Sequence, residues 1–290
     1  MRVHRDYTLL EAAIHAHQGE DVLGHLVEHV DVNLYSKGLT LLHQAILADN
    51  VPAATLLLHC GANVLCNDER KATPLHLAKS AEAALLLLRR GACVEWQRYD
   101  GATPLHTCGL SSIARVLVQH KANVHARTFN GDTPLHGCKD AEMVKCLVDD
   151  GGAQVNVANT DKFTPLHVAC SFGRWRVAIA LLERSASLDA LDRSGRTPSD
   201  VVKAVRSLLF PLNMNDKSEL DRTLVSLDVW AAGRRRGDDN RVIYEKLVWH
   251  ALRPVCRDPK CALVVATRLP LDLVNSIVIQ WLGPWAPATA

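Results

Sequence analysis

Aromatic side chains are scarce in this sequence: Phe, Trp and Tyr together make up 5% of its 290 residues. A core of stacked rings is thereby excluded. The apolar fraction, 48%, must be built largely from Leu, Val and Ala. Small aliphatic side chains let helices approach closely, because interaxial distance depends on the side chains at the contact.

An excess of one charge sign is also missing. Lys and Arg number 33 against 31 Asp and Glu, a net charge of +2. So small a balance gives no argument for nucleic acid or a membrane surface as partner. No apolar run reaches the roughly 18 residues that a membrane span requires. Met1 to Glu20 mixes charges and histidines where a secretory signal would place a basic stretch and then an apolar one. The cysteines number nine, an odd count scattered along the chain. They read as reduced, buried, apolar packing residues rather than as a disulfide framework. Together these absences predict a soluble, monomeric, intracellular protein of the cytoplasm or also the nucleus.

Signs of chemistry are absent as well. There is no glycine loop to cradle phosphate, no Gly-x-Ser-x-Gly and no paired metal-ligand spacing. Cys256 and Cys261 with His250 nearby have a loose spacing and lack a fourth ligand for zinc. The sequence therefore predicts no enzyme, no cofactor and no metal.

What is present is a repeat. Thr164-Pro165-Leu166-His167 recurs as Thr73-Pro74-Leu75-His76, Thr103-Pro104-Leu105-His106 and Thr133-Pro134-Leu135-His136. Weaker copies begin at Thr8, Thr40 and Thr197. The threonines are 32, 33, 30, 30, 31 and 33 residues apart, a period that marks a solenoid. Each copy opens a helix. The threonine hydroxyl can cap a first-turn N–H, and proline fits the first helical position, where its missing N–H costs nothing. A second helix follows in each repeat. In the first repeat it covers Asp21 to His29, with Val22, Leu26 and Val30 predicted on one face. Glycine then ends the helix pair at Gly61, Gly91 and Gly152, where a left-handed residue is common. Lys121 and Ser185 replace it in two copies. The repeats opening at Thr73, Thr103 and Thr133 are short, and their missing residues fall between the helices. A clipped first helix is predicted in these three.

In these motifs the chain resembles the ankyrin-repeat family over residues 1–211, in about six to seven repeats with the first and last degenerate. The resemblance implies an all-α repeat solenoid of antiparallel helix pairs with projecting β-hairpin loops. It also implies that His43, His76, His106, His136 and His167 are structural and hydrogen-bond neighbouring repeats. Residues 212–218 read as a linker, and residues 219–290 as a small helical C-terminal region.

Within that region, residues 268–282 form a strongly apolar helical stripe. Leu269-Pro270, the acidic Asp272, then Leu273, Ile277, Val278 and Trp281 resemble the first helix of an F-box, in the truncated C-terminal version called PRANC. That resemblance implies binding to the Skp adaptor of a cullin-RING ubiquitin ligase. A rival is the SOCS box, which binds elongins. Ala251-Leu252 and Cys256-Arg257 followed by Leu269-Pro270-Leu271 resemble it, but Pro254, Pro259, Lys260 and Asp272 depart from its pattern.

The function predicted is binding. A stacked core leaves a concave surface free to vary, and arginines and aromatics are enriched in binding hot spots. The hairpin tips carry Arg70; then Trp96, Arg98 and Tyr99; then Arg127 and Phe129; then Lys162 and Phe163. These are the candidate partner-binding residues, for a protein with an acidic or mixed surface. Arg98 and Thr128 stand where ankyrin hairpins usually have aspartate, a loss that points to a ligand rather than to stability. Two outcomes remain: a ligase adaptor that holds a target, or a scaffold that masks a partner.

Overall fold

The computed structural model describes residues 2–17, 20–27, 30–208 and Leu227. The chain divides into two compact units, Met1–Val168 and Ala169–Ala290. In the first unit, α1 (Arg2–His15) and α2 (Glu20–Val27) are followed by a two-stranded antiparallel hairpin, β1 (Tyr35–Ser36) and β2 (Leu39–Thr40). Three more helix pairs come next. They are α3 (Leu41–Leu47) with α4 (Val51–His59), a single 3-10 turn Pro74–Leu77 with α5 (Ala81–Arg89), and α6 (Pro104–Thr107) with α7 (Ser111–Gln119). A second 3-10 turn, Pro134–Gly137, precedes α8 (Ala141–Lys145), which runs on as a π turn, Cys146–Asp150. Helix α9 (Pro165–Ser171) follows, and the second unit contains α10 (Trp175–Glu183) and α11 (Pro198–Leu208). This is the helical repeat solenoid that the motif predicts.

The first helices of the three short repeats are clipped as predicted. Pro74–Leu77, α6 and Pro134–Gly137 are each 4 residues long, whereas α3 and α9 have 7. The second helices bury the same positions every 30 residues. Ala53, Ala83, Ile113 and Met143 form one buried file, Ala54, Ala84, Ala114 and Val144 another, and Leu57, Leu87, Leu117 and Leu147 a third. The repeat opening at Thr133 has one residue more than its two predecessors, and the π turn Cys146–Asp150 absorbs it.

One predicted stripe holds at Val30, which is buried, but is out of phase within α2. Leu23 and Val27 are buried in α2, whereas Val22 is 46% exposed and Leu26 is half-buried. Val22 stands at the outward position that Pro52, Glu82 and Ser112 fill in later repeats. The 3.6-residue period therefore runs from Leu23, one residue later than predicted.

The threonine–histidine pairs join the repeats. The backbone N–H groups of Thr40, Thr73, Thr103 and Thr133 donate to Nδ1 of the histidine three residues on, at 3.3, 3.1, 3.1 and 3.0 Å. Nδ1 is therefore an acceptor and the proton sits on Nε2. Nε2–H of His43, His76, His106 and His136 then donates to the carbonyls of Ala72, Ala102, Asp132 and Phe163, one repeat ahead, at 3.1, 3.2, 3.0 and 3.0 Å. Thr164 N–H reaches His167 Nδ1 in the same way, at 3.2 Å. Burial lowers the affinity of His43, His76, His106 and His136 for a proton, and holds His76 at about 4.

Both replacements of the helix-ending glycine are left-handed, Lys121 at φ 67 and Ser185 at φ 65. A β-carbon in that conformation crowds the following carbonyl. Lys121→Gly should therefore raise stability by roughly 0.5–1 kcal/mol, the relief partly offset by the freer unfolded chain. Chemical denaturation of the two proteins measures it, and a loss of stability would show that the Lys121 side chain contributes more than its backbone costs.

Candidate partner-binding edge

The hairpin tips share one frame. In each, a backbone N–H donates to the carbonyl four residues on: Asp68 to Ala72, Arg98 to Ala102, Thr128 to Asp132, Asn159 to Phe163 and Asp192 to Arg196, at 2.9–3.0 Å. A return bond closes the turn from Lys71, Gly101, Gly131, Lys162 and Gly195. The N–H of the residue just before the helix motif is also met by a side chain at these five tips. Asp68 Oδ1 accepts from Ala72 at 2.7 Å, Asp100 Oδ1 from Ala102 at 3.0 Å, and Thr128 Oγ1 from Asp132 at 3.1 Å. Asn159 Oδ1 accepts from Phe163 and Asp192 Oδ1 from Arg196, each at 2.9 Å.

This corrects the inference drawn from Arg98 and Thr128. The aspartate has moved two residues along, to Asp100, where it caps the equivalent amide. Thr128 caps with its hydroxyl. Stability alone accounts for both replacements. The Arg98 guanidinium pairs with Asp100, and that pairing holds the Asp100 carboxyl below its ordinary range.

Successive tips are joined by a backbone ladder. Tyr99 N–H donates to Arg70 C=O at 3.2 Å, Phe129 N–H to Asp100 C=O at 2.9 Å, and Thr160 N–H to Asn130 C=O at 3.0 Å. Each donor stands at the same place in its own hairpin.

The eight candidate residues divide on this frame. Trp96 is half-buried and its indole N–H donates to Lys71 C=O at 3.2 Å. Arg98 is committed to Asp100. The Arg127 guanidinium donates to the carbonyls of Gly131 and Ala158, at 3.3 and 3.1 Å, although the residue is exposed. Phe163 is half-buried with its ring 5.7 Å from that of His167. These four help to hold the hairpins. The other four face outward. Arg70 and Lys162 are exposed, and so are Tyr99 at 56% and Phe129 at 73%. Phe129 lies over Gly101, where a β-carbon would stand 2.9 Å from its ring, and the glycine has φ +80. That position needs glycine twice, for its backbone and for the space under the ring.

Two exposed residues escaped the sequence reading. Lys71 stands at a tip position filled by glycine in neighbouring hairpins. Leu110, 49% exposed, caps α7 without a side-chain bond, where Asn50, Ser80 and Asp140 cap their helices with one. Comparing equivalent positions, rather than scanning for residue types, would have found both.

Five of the seven described cysteines are buried, whereas Cys60 and Cys93 are exposed; packing does not explain those two. Burial pushes the thiols of Cys66, Cys146 and Cys170 up and that of Cys108 up to about 12, which disfavours their thiolates. Among the described residues no group of His, Cys, Asp or Glu could hold a metal ion, and no helix is long and apolar enough to cross a membrane. Leu269, Pro270, Leu273, Ile277, Val278 and Trp281 lie outside the described residues, as do Cys256, Cys261 and the predicted linker.

A family model for ankyrin repeats in three copies matches residues 54–128 and 109–192, and a single-repeat ankyrin model matches residues 37–69. The crystal structure of the human ASB11 ankyrin repeat domain is similar with a TM-score of 0.58 at 26% identity, covering 73% of this chain and 95% of that one. The ankyrin repeat domain of Bcl-3, described as a unique member of the IkappaB protein family, has a TM-score of 0.53 at 24% identity. That match covers 66% of this chain and 92% of the Bcl-3 domain, and it bears on fold alone. The potassium channel SKOR of Arabidopsis thaliana is 44% identical over 61 residues, which are 21% of this chain and 7% of the channel. The chain thus spans a small fraction of that relative's length.

Proposed function

This chain belongs to the ankyrin-repeat family, and from that premise we propose that it is a protein-binding adaptor whose hairpin edge holds a target while its C-terminal segment recruits a ubiquitin ligase. The observation that carries the binding half is the exposure of Tyr99 and Phe129 on neighbouring tips. Large exposed aromatics cost hydration free energy in the unbound protein, and regain it when a partner covers them. A frame of backbone bonds keeps their positions fixed, so little order is lost on binding.

The recruiting half rests on sequence. Leu269, Pro270, Leu273, Ile277, Val278 and Trp281 make an apolar stripe of the kind that docks as a helix in a groove. A Skp adaptor and its cullin are the partners it implies. A second reading keeps the array as a scaffold or inhibitor, with residues 219–290 as its cap. A third assigns the segment to elongins through a SOCS box.

Affinity purification of the intact chain beside a Leu269→Ala/Pro270→Ala variant, read by mass spectrometry, separates these. Skp adaptor and cullin recovered with the intact chain and lost with the variant is the expected result. Elongins in their place would transfer the segment to the SOCS box. Identical partner lists without ligase components would remove the recruiting role and leave the scaffold.

A further inference from the structure

Lys71 and Lys162 hold backbone conformations that their neighbours assign to glycine. At the same tip position Gly38, Gly101, Gly131 and Gly195 have φ between 73 and 80; Lys71 has φ 57 and Lys162 φ 60. A left-handed lysine is strained by its β-carbon. The turn imposes that conformation whatever the side chain, so each lysine is held at a fixed place on its tip. Both lysines are exposed, as is Arg70. Among the described residues no carboxylate forms an ion pair with any of the three.

Asp68, Asp100 and Asp161 on the same edge are already engaged, and Glu69 is turned toward the preceding hairpin. Asp68 accepts from Arg70 N–H and Ala72 N–H at 2.8 and 2.7 Å. Asp100 is paired with Arg98, the Glu69 side chain lies against Gly38, and Asp161 has a partner. Cationic groups free to meet a ligand therefore stand at both ends of a row whose middle is Tyr99 and Phe129.

We infer that the tips bearing Arg70, Lys71, Tyr99, Phe129 and Lys162 take an extended acidic polypeptide segment with at least one aromatic or aliphatic anchor residue. This rests on the adaptor reading and specifies its target. Extension follows from the row: the cations belong to tips separated by two others, and an extended chain covers roughly 3.3 Å per residue. The anchor covers Phe129 and Tyr99 and supplies the hydrophobic part of the binding. Acidity follows from the unpaired cations. A nucleic acid fits less well, because the cations stand only at the two end tips, with two tips between them, and a run of phosphates needs a continuous basic track. A second copy fits less well, because it would bring the same cations face to face.

The test starts from random peptide display on the intact chain, and measures the selected peptide on Lys71→Gly/Lys162→Gly. Glycine relieves the backbone while removing both charges. The melting temperature should rise by about 2–4 °C. The selected sequences should be acidic with an aromatic or aliphatic residue. In fluorescence anisotropy at 0.1 M salt the double variant should bind them about tenfold more weakly, and added salt should narrow the difference. Selection of neutral or basic peptides, no selection at all, or equal binding by the two proteins would overturn the inference. So would tighter binding of a dT20 oligonucleotide than of any peptide, or a dimer in sedimentation. If only this inference fails, intact chain and double variant still recover the same proteins from native lysate; if the target-binding half of the adaptor reading fails, neither recovers any.

Discussion

Lowering the pH from 7 to 5 should cost the folded array about 2 kcal/mol from His76 alone. Its ring is held at about 4 chiefly because burial disfavours the imidazolium. An unfolded histidine titrates near 6.5. Above pH 6.5 both states are neutral, so nothing is lost. As the pH falls from 6.5 toward 4 the unfolded state takes up the proton and the folded state does not, and stability falls. At pH 5 the unfolded ring is almost fully protonated and the folded one about one-tenth so, which gives the ~2 kcal/mol. The rings of His43, His106 and His136 are lowered for the same leading reason and add in the same direction. Below about pH 4 the depressed carboxyls of Asp100, Asp192 and Asp200 add a further loss. Geometry sharpens the effect. A proton on Nδ1 would point at a threonine N–H that already donates to that nitrogen. Urea denaturation followed by circular dichroism at the two pH values measures the loss. Equal stability would mean that these rings accept protons in place, and that the assigned tautomer is wrong. Nitrogen chemical shifts of the histidine rings at pH 7 would report the same tautomer independently.

Leu135→Ala should destabilise the protein by about 2–5 kcal/mol, and its urea midpoint should fall by roughly 1–2 M. Leu135 is 1% exposed, and its counterparts Leu42, Leu75 and Leu105 are equally buried. The cost of such a truncation depends on whether the surroundings can close on the space left behind. Here they cannot move far. The turn Pro134–Gly137 is a single short turn, tied behind by the His106 bond to Asp132 and ahead by the His136 bond to Phe163. In a solenoid each repeat is stabilised by its two neighbours, so the hole weakens two junctions. A loss below 1 kcal/mol would contradict the register in which every Thr-Pro-Leu-His leucine points inward.

Much of this architecture is legible in the sequence, for identifiable reasons. Threonine, proline, leucine and histidine fall on a fixed period, and each has a local task that needs no tertiary information. Glycine lost at Lys121 and Ser185 leaves the backbone left-handed, because the helix end and not the side chain sets it. Missing residues between helices show as clipped helices. Where the reading fails, the information lies between residues distant in sequence or in a choice of phase. Val22 and Leu23 are both apolar, and only packing decides which faces in. Arg98 looked like a lost aspartate because a motif records positions, whereas the amide needs an acceptor that can come from Asp100. Of the candidate edge, Trp96, Arg98, Arg127 and Phe163 have the residue types of a hot spot but are used by the hairpins themselves. Composition cannot distinguish an arginine that bonds a neighbouring carbonyl from one that faces solvent.

The ladder between hairpins has a consequence for how such a surface can change. At each rung a backbone N–H makes the bond, through Tyr99, Phe129 or Thr160, and only at Thr160 does the side chain add to it, its hydroxyl donating to Asn130 C=O at 2.9 Å. Those residues differ in size and polarity: a phenol, a hydrocarbon ring and a small alcohol occupy equivalent places. Location and identity are thus inherited separately, the first fixed by amides that every residue except proline supplies, the second open to replacement. A lineage, or an engineer, could exchange these fingertips one at a time and move between targets without rebuilding the hand.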